Sequence, residues 1–228
     1  MNIPQKTREI KTSGYVLRRT NYGEADRILN IITPEKKLSA IAKGVRRPKS
    51  KLAGGVELFT LADLVIHQGR GGLGIVTSAK MKRHYGNILM DYDRMELAGA
   101  ILREVSRAAE SADAPEYFRI VDESLAALDS GAKIGLVEAW ADFNLLKAMG
   151  EEPNFYRDDR GEKLSAEARY EWNTTERAFA LRDGGRYGAD EIKVARLMMT
   201  AGPKVIERIK GVDGKLPDIL LLARVMVK

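Results

Sequence analysis

The sequence predicts an α+β fold: a five-stranded β-barrel over residues 1–84, then a mainly α-helical domain over 85–228 with a small β-hairpin insertion at about 153–188. Three observations predict it. Five short segments rich in Val, Ile, Leu and Tyr fill the first third and are separated by turn residues. From Met95 onward the apolar residues recur at helical spacing. Between 153 and 188 aromatic residues and Asp, Asn and Gly turns interrupt that spacing.

The strand segments are SGYVLRR (13–19), DRILNII (26–32), KLSAIAK (37–43), LADLVIHQ (61–68) and LGIVTSAK (73–80). In the fourth, Ala62, Leu64 and Ile66 take one face and Asp63 and His67 the other, the alternation of a half-buried strand. Turns fall at Asn21-Tyr22-Gly23, Pro34-Glu35, Gly54-Gly55 and the GRGG of 69–72. Short strands without an intervening helix favour a closed barrel over a βαβ sheet. The barrel that recurs at this length is the OB-fold, whose curved face and loops commonly bind single strands.

MELAGAILREVSRAAE (95–110) sets Leu97, Ile101, Leu102, Val105 and Ala109 on one helical stripe. PEYFRIVDESLAALDSG repeats the pattern and stops at Gly131, and KIGLVEAWADFNLLKAMG ends at Gly150 with Leu136, Trp140 and Phe143 in phase. Three such helices with short joins predict a bundle, packed on the barrel because no Gly-, Pro- or Ser-rich linker intervenes. The insertion is expected to be held by Phe155, Tyr156, Trp172 and Phe179. Helix resumes at ADEIKVARLMM, GPKVIERIK and DILLLARVMV, the last too short to span a bilayer.

Composition narrows the function. Zero cysteines exclude disulfides, a thiolate nucleophile and a cysteine-ligated zinc. No run of about 18 apolar residues predicts a membrane span, and MNIPQKTREIK lacks the apolar stretch of a secretory signal, so a cytoplasmic protein is expected. The two histidines lie in different segments, outside any metal-ligand spacing. The GRGGLG run at 69–74 lacks the Lys-Ser/Thr of a phosphate loop and leads into a strand. Glu24 and Asp26 form a carboxylate pair with no third member, and Asp158 and Asp159 sit in a turn. No enzymatic activity and no cofactor are expected.

Charge is segregated. Residues 1–85 hold 17 Lys and Arg against 6 Asp and Glu, while the remainder hold 21 against 26. The densest run is KGVRRPKSK, with Lys43, Arg46, Arg47, Lys49 and Lys51 and no acid. These five, with Ser50 and the strand-end cations Lys36, Lys37, Lys80, Lys82 and Arg83, form the candidate nucleic-acid-binding set. Tyr15 and Tyr22 offer stacking faces or core rings.

YGEADRILNIIT (22–33), followed by KGVRRPKSKLAGGVELFTLADLVIH (43–67), resembles the N-terminal part of the RecO family. The residues that carry the likeness are Tyr22, Gly23, Glu24, Asp26, Thr33, Gly44, Arg46, Arg47, Ser50 and Phe59. The resemblance implies an OB-fold joined to a helical domain. It further implies binding of single- and double-stranded DNA, annealing of complementary strands and help in loading RecA onto DNA coated by single-strand-binding protein. The implied protein partners are RecR and the tail of the single-strand-binding protein. Many members carry a four-cysteine zinc site in the hairpin segment. Here RDDRG and GGRYG stand near the expected pairs, so aromatic packing of Trp172, Phe179 and Tyr187 is expected to replace that staple. The physics of the residues alone also admits an RNA-binding OB-fold factor in translation or ribosome assembly, and a nuclease built on Glu24 and Asp26.

Overall fold

The computed structural model describes residues 8–69, 71–109 and 115–227. The chain divides into two compact units, Met1–Leu125 and Ala126–Lys228.

The first unit is built on strands β1 (Arg8–Tyr22), β2 (Asp26–Ile32), β3 (Lys37–Ala42), β4 (Thr60–Gln68) and β5 (Leu73–His84). They close in the order β1-β2-β3-β5-β4, with β4 returning to β1. All pairs are antiparallel except β3–β5, which run parallel from Ser39↔Leu73 to Ile41↔Ile75. This is the expected OB-fold barrel. Its interior is filled by the inward residues of every strand, among them Val16, Leu29, Ile31, Leu38, Leu64, Ile66 and Val76. β1 runs well past the expected 13–19 because it serves two neighbours. Its first half pairs with β4 and its second with β2, so polar REIKT is held by backbone bonds rather than apolar pattern.

Helix α1 (Tyr92–Ala108) begins where the Asp91 carboxylate accepts the Arg94 N–H at 3.2 Å, an N-cap the apolar spacing alone does not reveal. It buries Ile101, Leu102 and Val105 of the expected stripe, with Ala109 just past its end, while Ala98 rather than the half-buried Leu97 completes the contact face. Helix α2 (Pro115–Asp129) follows. Tyr15, in β1, is core: its hydroxyl donates to Asp122 Oδ1 of α2 at 2.5 Å and lies 2.9 Å from the Tyr85 hydroxyl. The Phe118 ring packs 5.5 Å from it. Burial, then the bond to Asp122, push the Tyr15 phenol well above the ordinary tyrosine range. Barrel and helix are therefore joined by a buried polar network inside the first unit.

In the second unit, helix α3 (Ile134–Ala148) carries buried residues on every face, which marks a central helix. The sequence groups it with the two helices before it. Within this unit its main partner is α6 (Leu216–Val227), while α4 (Ala189–Met198) and the one-turn α5 (Pro203–Ile206) pack alongside. Trp140 donates its indole N–H to Ala201 O at 2.8 Å, and Asn144 donates to Met198 O at 2.9 Å.

The insertion is a two-stranded antiparallel hairpin, β6 (Tyr170–Asn173) with β7 (Ala178–Leu181). Phe179 is 0% exposed. Around it stand the rings of Trp172 at 5.2 Å, Tyr187 at 5.9 Å, Phe155 at 6.1 Å and Tyr170 at 6.2 Å. Edge-on pairs of this kind contribute about 0.5–1.5 kcal/mol each beyond their buried area. Tyr156 departs from expectation: it is exposed, with the Arg196 guanidinium 4.2 Å from its ring centre.

The two turns at the positions of the family's metal site do not fit a zinc ion. Asp158 Oδ1 accepts the N–H groups of Arg160 and Glu162, closing the RDDRG turn on itself. The GGRYG segment is held by its backbone, with Tyr187 and Tyr170 exchanging N–H···O bonds of 2.9 Å. Among the described residues no three His, Cys, Asp or Glu side chains converge.

Tyr15→Phe is expected to lower unfolding stability by about 2 kcal/mol, because it removes the shorter of the two hydroxyl bonds to the Asp122 carboxylate, the other coming from Tyr85 at 3.5 Å; an unchanged urea midpoint would show that Tyr85 or solvent serves Asp122 instead. Dialysis against a chelator is expected to leave the melting curve unmoved, and elemental analysis to find far less than one zinc per chain. A stoichiometric zinc signal would refute the aromatic replacement.

Candidate nucleic-acid interface

The chain leaves β3 at Ala42 and must turn sharply to reach β4. Gly44 makes that turn at φ +63, a left-handed conformation that disfavours a side chain. Its N–H is donated to Asp26 Oδ1 at 2.7 Å, and the Arg46 N–H to Ala25 O at 2.9 Å. Two further turns follow, Arg47 N–H to Gly44 O at 3.1 Å and Ser50 N–H to Arg47 O at 3.0 Å. Val45, 3% exposed, plugs the loop into the barrel core beside Val56. At Gly55 an added Cβ would lie 2.4 Å from Ala79 O, so only glycine lets the turn at 53–56 close onto β5.

The inner side of the loop is thus fastened by backbone and apolar contacts, which leaves its cations outside. Lys43, Arg46, Arg47, Lys49 and Lys51 are all exposed. Among the described residues none of the five makes an ion pair; Arg46 donates only to Gly23 O, at 3.3 Å. The nearest acid in sequence, Glu57, is occupied elsewhere: it bridges Arg19 on β1 and Arg27 on β2, the latter at 3.2 Å. Five positive charges therefore face solvent from one short, fixed loop. Such an array neutralises phosphates and releases counterions.

The remaining candidates divide. Lys80, Lys82 and Arg83 lie on the β5 segment that meets the loop's far end, where the Met81 methyl is 3.6 Å from the position of a Cβ on Gly54. Lys82 is already paired with Asp63 at 3.4 Å. The Ser13 hydroxyl, and then Lys82, hold the Asp63 carboxyl below its usual range. Arg83 lies 5.9 Å from the centre of the Tyr85 ring. Ser50 uses its hydroxyl locally, accepting the Leu52 N–H at 3.3 Å. Lys36 and Lys37 stand apart at the opposite end of β3, about 20 Å from Lys43 at the rise of a strand; Lys37 Nζ donates to Ser106 O of α1 at 2.7 Å. Tyr15 is lost to the core, as described above, whereas Tyr22 is 56% exposed at the tip of the β1–β2 turn beside the loop.

The carboxylate pair does not assemble a metal site. Asp26 is turned to the Gly44 N–H, while Glu24 points from the exposed turn. Asp26 is accordingly a positioning residue for the basic loop. Sequence reading passed over Arg18, exposed on the outer face of β1 opposite Asn30; its position outside any basic run hid it.

Residues 7–85, the barrel and its loop, match the family described as Recombination protein O N terminal. The chain is similar to the DNA repair protein RecO of Roseiflexus sp. (strain RS-1), 34% identical over 152 residues, which is 66% of this chain and 53% of that protein. The RecO of Alkaliphilus metalliredigens (strain QYMF) is 41% identical over 102 residues, covering 44% and 41%. That of Rubrobacter xylanophilus is 32% identical over 145 residues, covering 63% and 58%. The matched region thus spans about half the length of these curated relatives.

Asp26→Ala is expected to free the Gly44 amide and loosen residues 43–51. Hydrogen exchange in that peptide should then accelerate about tenfold, the equivalent of roughly 1.4 kcal/mol for one charged hydrogen bond, while exchange in β4 stays as it was. Equal acceleration throughout the barrel would mean that Asp26 supports the fold rather than the loop.

Proposed function

Through its N-terminal barrel the chain belongs to the RecO family, and from that premise we propose that it serves DNA repair and recombination by neutralising the phosphates of single- and double-stranded DNA. The observation that carries this reading is the loop at 43–51, with five exposed cations that no acid of the described residues neutralises. Two complementary strands repel each other through their phosphates. A fixed cationic loop that holds one strand lowers this repulsion for the second, so annealing speeds up without any bond being made or broken. The protein is accordingly a mediator rather than an enzyme.

The RecO relationship supports the wider role: assistance in loading RecA onto DNA coated by single-strand-binding protein, together with RecR and the tail of the coating protein. No helix among the described residues is long and apolar enough to cross a membrane, and the work is assigned to the cytoplasm. An RNA-binding role would use the same phosphate chemistry, and competition between DNA and RNA single strands of equal length separates the two.

If about four phosphates are contacted, log affinity for single strands falls with log salt at a slope near −3. Replacing Arg46, Arg47, Lys49 and Lys51 together by Ala is expected to flatten that slope and to slow annealing of strands precoated with single-strand-binding protein. Unaltered affinity and slope in that variant would remove the loop from the interface.

A further inference from the structure

We infer that the outward face of α1 is a contact surface for a second copy of this chain, paired antiparallel about a two-fold axis at Gly99. Helical spacing places Tyr92, Met95, Glu96, Gly99, Arg103 and Arg107 on one face, opposite the buried Ala98, Ile101 and Val105. An outward helix face is ordinarily polar. This one begins with Tyr92, 70% exposed, and with exposed Met95. The short turn just before it, Gly86–Met90, buries Ile88 but leaves Leu89 exposed and Met90 86% exposed. Four large apolar side chains thus stand in solvent at one end of the helix, the kind of patch that marks a protein contact.

The charges on the face identify its occupant. The first half carries an acid, Glu96, and the second half two cations, Arg103 and Arg107. Glu96 and Arg103 are exposed and make no ion pair among the described residues, while Arg107 is held by Glu104 of its own helix at 2.7 Å. A face with opposite charges in its two halves is complementary to itself when reversed, which is what a two-fold contact requires. Gly99 lies between the halves. Glu96 is three residues before it and Arg103 four after, and Tyr92 is seven before and Arg107 eight after. Antiparallel pairing about Gly99 therefore sets Glu96 of each copy against Arg103 of the other, and each Tyr92 ring against an Arg107 guanidinium. At the axis a Cβ on Gly99 would meet only the end of the Arg103 side chain, at 3.3 Å, so the two backbones can approach closely. One helix and one turn from each copy make a small contact, so association is expected at concentrations on the order of micromolar. Because α1 and the barrel belong to one compact unit, the pair carries two basic loops.

Sedimentation equilibrium tests the pairing on the full chain. From about 1 to 100 μM the average mass is expected to rise from one chain toward two. Glu96→Arg and Arg103→Glu, each alone, set like charges together twice and are expected to weaken association about tenfold. The double variant exchanges the charges and is expected to restore it, a rescue that a merely structural role for either side chain does not produce. Both positions are exposed, and a melting curve checks the fold. The chain has no cysteine, so a single one reports on its own position. Under oxidation Gly99→Cys is expected to link two chains, since the axis brings this position onto itself, whereas Glu104→Cys, on another side of the helix, stays unlinked. A wild type that remains a single chain throughout the range overturns the inference. Association without the charge-exchange rescue, or equal linking at both cysteines, assigns the contact to another surface and overturns it as well.

Discussion

Like charges crowded on one loop must be held there by something other than charge. At about 7 Å in water two unit charges repel by about 0.6 kcal/mol, so five cations in nine residues accumulate a repulsion comparable to two or three net hydrogen bonds. The barrel meets this with fastenings that leave the cationic side chains outside. Asp26 and Ala25 receive the Gly44 and Arg46 amides, successive turns tie the loop to itself, and Val45 is sunk into the core. Because the fastening engages the loop's backbone amides and an aliphatic side chain, the guanidinium and ammonium groups of the five cations make no ion pair among the described residues and face solvent. Glu57, the acid nearest to them in sequence, is committed to Arg19 and Arg27. The phosphate-binding proposal depends on this separation of structural bonds from functional charge.

The same economy of means appears in the second unit. A short hairpin of two four-residue strands is too small to be stable alone. The aromatic cluster around Phe179 supplies an apolar centre for it, and the Asp158 carboxylate closes the adjoining turn. The region is thus organised by aromatic packing and turn hydrogen bonds.

Barrel closure is what turns a list of strands into a surface. Because β5 returns to lie parallel to β3, Ile75 comes to rest beside Ile41 although 33 intervening residues separate them in the chain. Closure also brings the turn at 53–56 against β5, which sets Lys80, Lys82 and Arg83 near the far end of the basic loop. It leaves Lys36 and Lys37 at the other end of β3, where α1 engages Lys37. Closure thus sets the loop cations and the cations near the end of β5 close together, apart from Lys36 and Lys37.

The sequence by itself determined the strands, the three long helices, the hairpin and the basic loop, because each is written in local pattern: alternation, helical period, turn residues, or a run of one charge. It also pointed to Phe155, Trp172 and Phe179 as the rings on which the hairpin packs. Only the tertiary structure decided what depends on partners distant in the chain. Tyr15 became a buried link to Asp122 instead of a stacking face, Asp26 a loop anchor instead of half a metal site, and α3 a partner of α6. A side chain's neighbours across a sheet are fixed by register and closure, and no single segment carries that information.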